Sequence, residues 1–181
     1  MSSKKVAVLI AGELASGTTE VAQVLGSLIG LTVLNSESFF REIAAEFQES
    51  FQYLERISRS GELDIEKVLE GMAKDRLVEG NVIIEGRSAL LVMDGGATLK
   101  VFLHKDMADR KKFLASRRGI DEEEAAKELL ASDQERSQIM RIRFNTDWTD
   151  ALLYDLTINT SKLSHQQAAE LIKTALDAAR A

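Results

Sequence analysis

The chain contains no cysteine and no proline among its 181 residues. The lack of cysteine excludes disulfide frameworks, thiolate metal sites and a cysteine nucleophile. Average proline usage of about 5% corresponds to roughly nine residues in a chain of this size. Proline-rich linkers and PxxP ligands are therefore excluded as well. The two histidines, His104 at the end of a predicted strand and His165 in a predicted helix cap, are interpreted as structural.

Positive charge is in the minority, with 23 basic residues against 29 acidic ones and a net charge of −6. An acidic chain of this kind is a poor candidate for binding nucleic acid or anionic membranes. No apolar run approaches the roughly 18 residues that span a membrane. The run 6–11 follows two lysines, but it stops before Glu13 and lacks the cleavage site of a signal peptide. We therefore expect a cytoplasmic protein whose partners are neither nucleic acids nor membranes.

Short apolar runs alternate with segments of helical periodicity along the chain. Five runs predict strands: 6–11, 31–34, 81–85, 99–103 and 156–159. The first of them has the continuous apolar pattern of a parallel strand buried on both faces. The segments between and after them have helical spacing: about 18–29, 36–50, 51–80, 105–118, 121–143 and 164 onward. This alternation predicts right-handed crossovers and an α/β fold with a doubly wound, five-stranded parallel sheet in a single domain.

Local signals mark several helix ends. Gly30 follows the first helix at the position of a C-terminal cap, and Gly119 separates two later helices. Ser164 and Gln167 form the S-x-x-Q pattern of a capping box. In the helix that this box opens, the periodicity predicts that Leu171 points inward with the other apolar residues.

Two glycines between the first strand and the first helix have the spacing of a phosphate-binding loop. Gly12 and Gly17 match the two glycines of the pattern G-x-x-x-x-G-K-[ST]. Thr19 stands at the position of the hydroxyl residue that contacts Mg²⁺, and Thr18 stands where the pattern has lysine. Such glycines let backbone N–H groups turn toward phosphate oxygens, and the helix N-terminus adds partial positive charge. A tight strand-to-helix turn that needs two glycines explains the pattern equally well.

Two charged residues, Glu85 and Arg87, flank a glycine at the end of the third predicted strand. A carboxylate at this edge of a parallel sheet can orient Mg²⁺. A guanidinium there can clamp a phosphate through two N–H groups. A surface salt bridge at the strand end is the alternative interpretation.

Further arginines lie on helices that could reach the same edge of the sheet. Arg41 lies in the helix that begins at Ser36. Arg110 and Arg117 share one face of the segment 105–118, which has six basic and two acidic residues. Together with arginines of the next helix, this face could close over a polyphosphate as a lid. A solvated helical hairpin explains the same spacing.

Taken together and in this order, the residues resemble the cytidylate kinase family of nucleoside monophosphate kinases, in particular its archaeal and cytidylate kinase-like branch. The resemblance runs from about residue 6 to residue 164. Its most specific stretches are 40–44, 81–87, 99–103 and 154–161. Asp133 and Arg136 look like the D-x-x-R of the lid segment in such kinases. The resemblance implies an acceptor lobe at about 36–80 and a lid at about 105–143.

The resemblance also implies the reaction and the residues that carry it. ATP would be the phosphoryl donor, Mg²⁺ the cofactor and CMP the acceptor, with ADP and CDP as products. The donor would bind at the phosphate loop: Gly12, Ala15, Ser16, Gly17, Thr18 and Thr19. Thr19 and Glu85 would hold the metal ion. The acceptor would bind at Ser36, Arg41 and Arg87. The catalytic residues would come from the lid: Arg117, Arg118, Asp133, Arg136 and Arg141.

Two loop positions depart from the family pattern: Ala15 replaces a usual glycine and Thr18 the usual lysine. Loss of one charged contact to a transferring phosphate costs about 3 kcal/mol, or about a hundredfold in rate. One alternative is therefore a catalytically weak or inactive nucleotide-binding protein. Another is a kinase for a non-nucleotide metabolite. Arg41 and Arg87 disfavour this second alternative, because two arginines suit an acceptor that already carries phosphate.

Overall fold

The computed structural model describes residues 5–47, 56, 60 and 64–180. Its strands are β1 (Ala7–Gly12), β2 (Thr32–Leu34), β3 (Val82–Glu85), β4 (Leu99–His104) and β5 (Leu156–Asn159). Its helices are α1 (Thr18–Ile29), α2 (Ser36–Phe47), α3 (Ile65–Glu79), α4 (Arg87–Leu91), α5 (Met107–Arg118), α6 (Glu122–Phe144) and α7 (His165–Arg180). A 3₁₀ turn lies at Ala151–Leu153.

The five strands pair in parallel in the order β2-β3-β1-β4-β5. Ile10 of β1 pairs with Glu85 of β3, and Gly12 of β1 pairs with Leu103 of β4. The chain runs from β1 outward to β2, returns to β3, and then crosses to β4 on the other side of β1. Open α/β sheets bind ligands at such a switch point, outside the carboxyl ends of the strands. The predicted doubly wound parallel sheet is confirmed.

Helices cover both faces of the sheet. Helices α1 and α7 pack on one face, where Leu25 and Ile172 are fully buried. Helices α2, α3, α4 and α6 pack on the other face, around Phe39 and Met140. Burial of each such side chain contributes about 1.5–3 kcal/mol relative to exposure. The sheet is thereby a rigid frame for the loops at its carboxyl edge.

The helix ends follow the local signals in the sequence. Gly30 ends α1 with φ of 70°, and Gly119 separates α5 from α6 with φ of 69°. At the start of α7, the Ser164 backbone N–H donates to Gln167 Oε1 at 2.9 Å, and the Gln167 N–H donates to Ser164 Oγ at 3.2 Å. The predicted cap at Gly30 and the predicted capping box are both confirmed.

Several details differ from the sequence-based prediction. Leu171 is 48% exposed, and the prediction that it points inward is wrong because the buried stripe of α7 runs through Ala168, Ala169, Ile172 and Leu176. Strand β3 begins at Val82 because Asn81 has a left-handed φ of 56°. The short helix α4 was not predicted, since five residues are too few to show a helical period. Of the helices predicted over 36–50 and 51–80, most of 48–63 lies outside the described residues.

Candidate active site

The loop between β1 and α1 fits closely against its surroundings at both glycines. A Cβ atom on Gly12 would lie 2.5 Å from the Leu103 carbonyl oxygen. Gly17 has a φ of 90°, and a Cβ there would lie 2.9 Å from His165 Nε2. Glycine is therefore needed at both positions, once for space and once for space and conformation together.

Ala15 adopts a left-handed φ of 66°, which costs a non-glycine residue about 1–2 kcal/mol. Ala15 and Leu14 pack against an apolar cluster of α5 and α6 formed by Leu114, Ala125 and Leu129. This packing offsets part of the strain. The departure from glycine at position 15 thus adds a contact between the loop and the α5–α6 hairpin.

Ser16 and Thr19 present hydroxyl groups from the same loop. Ser16 is fully buried, and its Oγ has no hydrogen-bond partner among the described residues. A buried hydroxyl without a partner is unfavourable unless a ligand satisfies it. Thr19 Oγ1 donates to Glu85 Oε1 at 2.9 Å.

Glu85 ends β3 beside this loop and is only 3% exposed. Its Oε1 also accepts a hydrogen bond of 2.8 Å from Asn35 Nδ2. Asn35 was not among the predicted site residues, although it directly follows β2 and so lies at the carboxyl edge of the sheet. Among the described residues, no group of three or more acidic or histidine side chains could hold a metal ion. Thr19 and Glu85 instead form the small oxygen donor set that suits Mg²⁺ arriving with a phosphate ligand.

A cleft of about 250 Å³ opens above the loop, and most of the sequence-predicted site residues line it. The predicted residues in its wall are Ala15, Gly17, Thr18, Thr19, Ser36, Glu85, Arg87, Arg117 and Arg136. Five further residues of the wall carry chemistry that the sequence analysis missed: Glu13, Glu20, Asn35, Glu37 and Phe113. The β1–α1 loop, a carboxylate and several cationic side chains therefore share one cleft at the switch point of the sheet.

Three arginines line the cleft, each from a different helix. Arg87 begins α4 and contacts two carboxylates, Glu66 of α3 and Glu135 of α6, with 2.8 Å between Arg87 Nη1 and Glu135 Oε1. Arg136 of α6 donates to the Ser132 side chain and carbonyl group. Burial lowers the pKa of the Arg136 guanidinium, and its Nε has no hydrogen-bond partner among the described residues.

Arg117 of α5 is the most exposed of these three arginines. Its Nη1 lies 3.2 Å from Glu20 Oε1 in the first turn of α1. Its Cζ lies 5.9 Å from the centre of the Phe113 ring, and Lys105 Nζ lies 5.6 Å from the same ring. The aromatic ring thus helps to hold positive charge at the mouth of the cleft.

Six predicted site residues are not part of the lining of the cleft: Gly12 and Ser16 of the loop, and four charged residues of the helices. Arg41 pairs with Glu37 at 2.6 Å in an exposed contact on α2. Arg118 pairs with Glu128, and Arg141 is exposed on α6. Asp133 is bound to Arg110.

Arg110 is the buried charged residue that the spacing argument placed on an exposed face. It is 2% exposed, and its Nε donates to the Leu14 carbonyl group of the phosphate loop at 2.8 Å. Its Nη2 donates to both carboxylate oxygens of Asp133 at 2.8 and 2.7 Å, and its Nη1 lies 3.3 Å from Glu13 Oε1. Arg110 therefore ties the loop to α6. The sequence alone could not identify Arg110 as the partner of Asp133, because α5 contains several other basic residues.

In the described part of the chain, no helix is both long enough and apolar enough to span a membrane. The parallel sheet, the phosphate-type loop at its switch point and the arginines on α5 and α6 define a kinase of the phosphate-loop fold.

Comparisons with known proteins agree with this class. Residues 72–162 match the model of the cytidylate kinase-like family. The cytidylate kinase of Methanopyrus kandleri is 32% identical over 98% of this chain and 96% of its own length. That of Pyrococcus horikoshii is 30% identical over 98% and 91%. The chain belongs to the cytidylate kinase-like family and is a nucleoside monophosphate kinase-like enzyme.

Solved structures share the fold at lower identity. An uncharacterized protein from Eubacterium ventriosum superposes with a TM-score of 0.75 at 20% identity, covering 96% of this chain and 99% of its own. A shikimate kinase from Bacteroides thetaiotaomicron gives 0.65 at 12% identity, covering 95% and 98%. These similarities concern the architecture alone.

Proposed function

We propose that this enzyme transfers the γ-phosphoryl group of ATP to the phosphate of CMP. The observation that carries the proposal is that the phosphate loop, the Thr19–Glu85 pair and Arg87 face one cleft at the switch point. The names of the archaeal relatives support CMP as the acceptor. The segments 36–80 and 105–143 are proposed as acceptor lobe and lid of one kinase domain.

The donor phosphates bind at the loop from Gly12 to Thr19. Backbone N–H groups of the loop and the N-terminus of α1 stabilise the negative charge. The hydroxyl of Ser16, which has no partner among the described residues, is a further donor. Thr19 and Glu85 would hold Mg²⁺, which would supply positive charge beside the donor phosphates.

The acceptor phosphate binds at Arg87. The Arg87 guanidinium lines the cleft and contacts the carboxylates of Glu66 and Glu135, which the acceptor phosphate displaces when it binds. Ser36 lies in the same cleft, with its Oγ 2.9 Å from Ser88 Oγ. Arg41 joins the acceptor site when its exposed pair with Glu37 opens.

The lid arginines stabilise the charge of the transferring phosphoryl group. Arg117 and Arg136 act from the wall of the cleft, and Arg118 and Arg141 join them when α5 and α6 close. Asp133 acts as a positioning residue through Arg110, because that arginine binds the loop carbonyl of Leu14.

The reaction needs no general base. An oxygen of the CMP phosphate forms a bond to the γ-phosphorus, and the bond from that phosphorus to the β,γ-bridging oxygen breaks. ATP⁴⁻ and CMP²⁻ give ADP³⁻ and CDP³⁻, so charge balances without proton transfer. Catalysis then consists of positioning and charge stabilisation.

A coupled assay of ADP release with ATP, Mg²⁺ and a panel of monophosphates tests the proposal. We expect the highest kcat/KM with CMP among CMP, UMP, AMP and GMP. Turnover with another monophosphate only would contradict the CMP assignment. Absence of turnover with every acceptor would contradict the kinase proposal itself.

A second candidate function is nucleotide binding without transfer. Two observations favour this candidate. Thr18 replaces the usual lysine of the loop, and the Arg87 guanidinium is already paired with two carboxylates. This candidate expects calorimetric binding of ATP with no formation of ADP in the presence of any monophosphate. Formation of CDP excludes it.

A further inference from the structure

The cleft has a cation close to the loop position where lysine is missing. Thr18 is the first residue of α1 and lines the cleft with Glu20, two residues further along the same turn. The Arg117 guanidinium crosses from α5 to this turn and pairs with Glu20 at 3.2 Å. It therefore lies against a carboxylate at a helix N-terminus, which is also the place where phosphate binds in such loops.

Arg117 differs from the other two arginines of the cleft in how it is held. Arg87 contacts two carboxylates on the acceptor side, and Arg136 is half-buried and bound to Ser132 of its own helix. The Arg117 side chain is 61% exposed, and within the described part of the chain it has a single ion pair. An exposed pair of this kind is worth about 1 kcal/mol or less. Exchange of Glu20 for a phosphate oxygen therefore costs little.

The Phe113 ring limits the freedom of Arg117. It lies 5.9 Å from the Arg117 Cζ and itself lines the cleft. Contact with an aromatic face keeps the guanidinium near the mouth of the cleft once its ion pair opens. Arg117 is thus held on the donor side in the ligand-free protein.

We propose that Arg117 supplies from α5 the charge on the donor phosphates that a lysine at position 18 supplies in the G-x-x-x-x-G-K-[ST] loop. The proposal rests on the proposed function for the identity of the donor. It assigns to Arg117 a contact with the bound triphosphate itself. A contact made only during transfer would leave ATP affinity unchanged.

The test restores a positive charge to the loop by the Thr18→Lys substitution in a protein that lacks Arg117. Calorimetry with ATP and Mg²⁺, and kcat with CMP, are measured for Arg117→Ala, Thr18→Lys and the double variant. We expect Arg117→Ala to weaken ATP binding about tenfold and to lower kcat about a hundredfold. Thr18→Lys in the Arg117→Ala background should restore ATP affinity to within about threefold of the parent protein.

Arg136→Ala, with and without Thr18→Lys, is the matched arginine control. The added lysine should not restore this variant, because Arg136 acts from another side of the cleft. Lys112→Ala removes an exposed charge from α5 and controls for the general field of that helix. Equal restoration of the Arg117 and Arg136 variants would overturn the proposal, and so would unchanged ATP affinity in Arg117→Ala.

Two further variants cover the case in which Thr18→Lys impairs folding. Arg117→Lys should keep ATP affinity within about threefold, whereas Arg117→Gln should lose about tenfold. Equal affinity of these two variants contradicts the proposal. Because the calorimetric measurements need no turnover, failure of the kinase proposal is distinguishable from failure of the Arg117 assignment.

Discussion

At the residue scale, a comparison of Gly17 in the phosphate loop with Gly30 at the end of α1 explains why the loop sequence is restricted. Gly17 has both a left-handed φ and a neighbour, His165, where a side chain would have to fit. Gly30 has a similar φ of 70° but no atom within 4 Å of the position of a Cβ. A side chain at Gly30 would therefore meet only backbone strain, whereas a side chain at Gly17 would meet both backbone strain and a steric clash.

Substitution of these two glycines by alanine should have different results. Gly30→Ala should lower the free energy of unfolding by about 1 kcal/mol, from backbone strain alone, and leave ATP affinity unchanged. Gly17→Ala should lower it further and weaken ATP binding, because the loop must move away from His165. Urea unfolding and calorimetry measure the two quantities. Equal ATP affinity of both variants would show that the loop tolerates a side chain at position 17.

Arg87 is expected to act on the acceptor and not on the donor. Arg87→Ala should raise the KM for CMP and lower kcat/KM by about a hundredfold, with the KM for ATP unchanged. Steady-state kinetics with each substrate varied in turn measures this split. Lys173→Ala, on the exposed side of α7, is the control. A rise in the KM for ATP of similar size would place Arg87 on the donor side instead.

At the element scale, the α5–α6 hairpin is fastened to the phosphate loop. Arg110 contacts Leu14, Glu13 and Asp133, and an apolar cluster of the hairpin packs on Ala15. A change in the hairpin is therefore transmitted to the loop through both contacts. Closure of the lid would involve the residues near the mouth of the cleft more than the base of α5.

Removal of the Asp133 charge should destabilise the protein strongly. Asp133→Asn leaves the buried Arg110 guanidinium without its bidentate partner, and we expect a loss of about 3 kcal/mol or more in the free energy of unfolding. Glu128→Gln, which removes the exposed partner of Arg118, should cost about 1 kcal/mol or less. Urea unfolding of both variants gives the comparison. Similar losses for the two would contradict the structural role of Arg110.

Glu70 on α3 gives the stability of the protein a specific dependence on pH, because it contacts Lys74 of the same helix and Arg143 of α6. Hydrogen bonds from Lys74 and then Arg143 hold the pKa of Glu70 below its ordinary value of 4.5, despite an opposing effect of burial. Since the pKa is lower in the folded state, this stabilisation is present above 4.5 and is lost as the pH falls through the folded value.

The Glu70→Gln variant tests this dependence. Its free energy of unfolding should fall less than that of the parent protein when urea unfolding is measured from pH 6 down to pH 3. Glu79→Gln, at the exposed end of α3, is the control. If the free energy of unfolding falls equally with pH in Glu70→Gln and in the parent protein, Glu70 is not the source of this pH dependence.

At the scale of the whole molecule, the parallel sheet and its order of elements could be predicted because buried strands and helical spacing repeat along the sequence. Glu85 and Arg87 were predictable as cleft residues because strand ends meet at one edge of a sheet. The pairing of Arg110 with Asp133 was not predictable, because both residues suit an exposed face by spacing. Asn35 and Phe113 gave no pattern of their own, and only the fold brings them to the cleft.

The distribution of charge also has a meaning at this scale. The net charge of −6 disfavours polyanionic partners, yet the segment 105–118 is strongly basic and carries Arg117 to the cleft. An acidic chain can therefore still bind a small polyphosphate at one basic site. Because Thr18 replaces the usual lysine of the loop, the central question is whether the protein transfers a phosphoryl group or only binds nucleotide.

The most direct measurement of that question is ³¹P NMR of the protein with ATP, Mg²⁺ and CMP. We predict that the β-phosphorus signals of CDP and ADP appear together and in equal amounts as ATP and CMP disappear. Samples without CMP should retain their ATP signals over the same period. A spectrum in which ATP and CMP persist unchanged, in protein that binds ATP by calorimetry, would contradict the assignment of phosphoryl transfer.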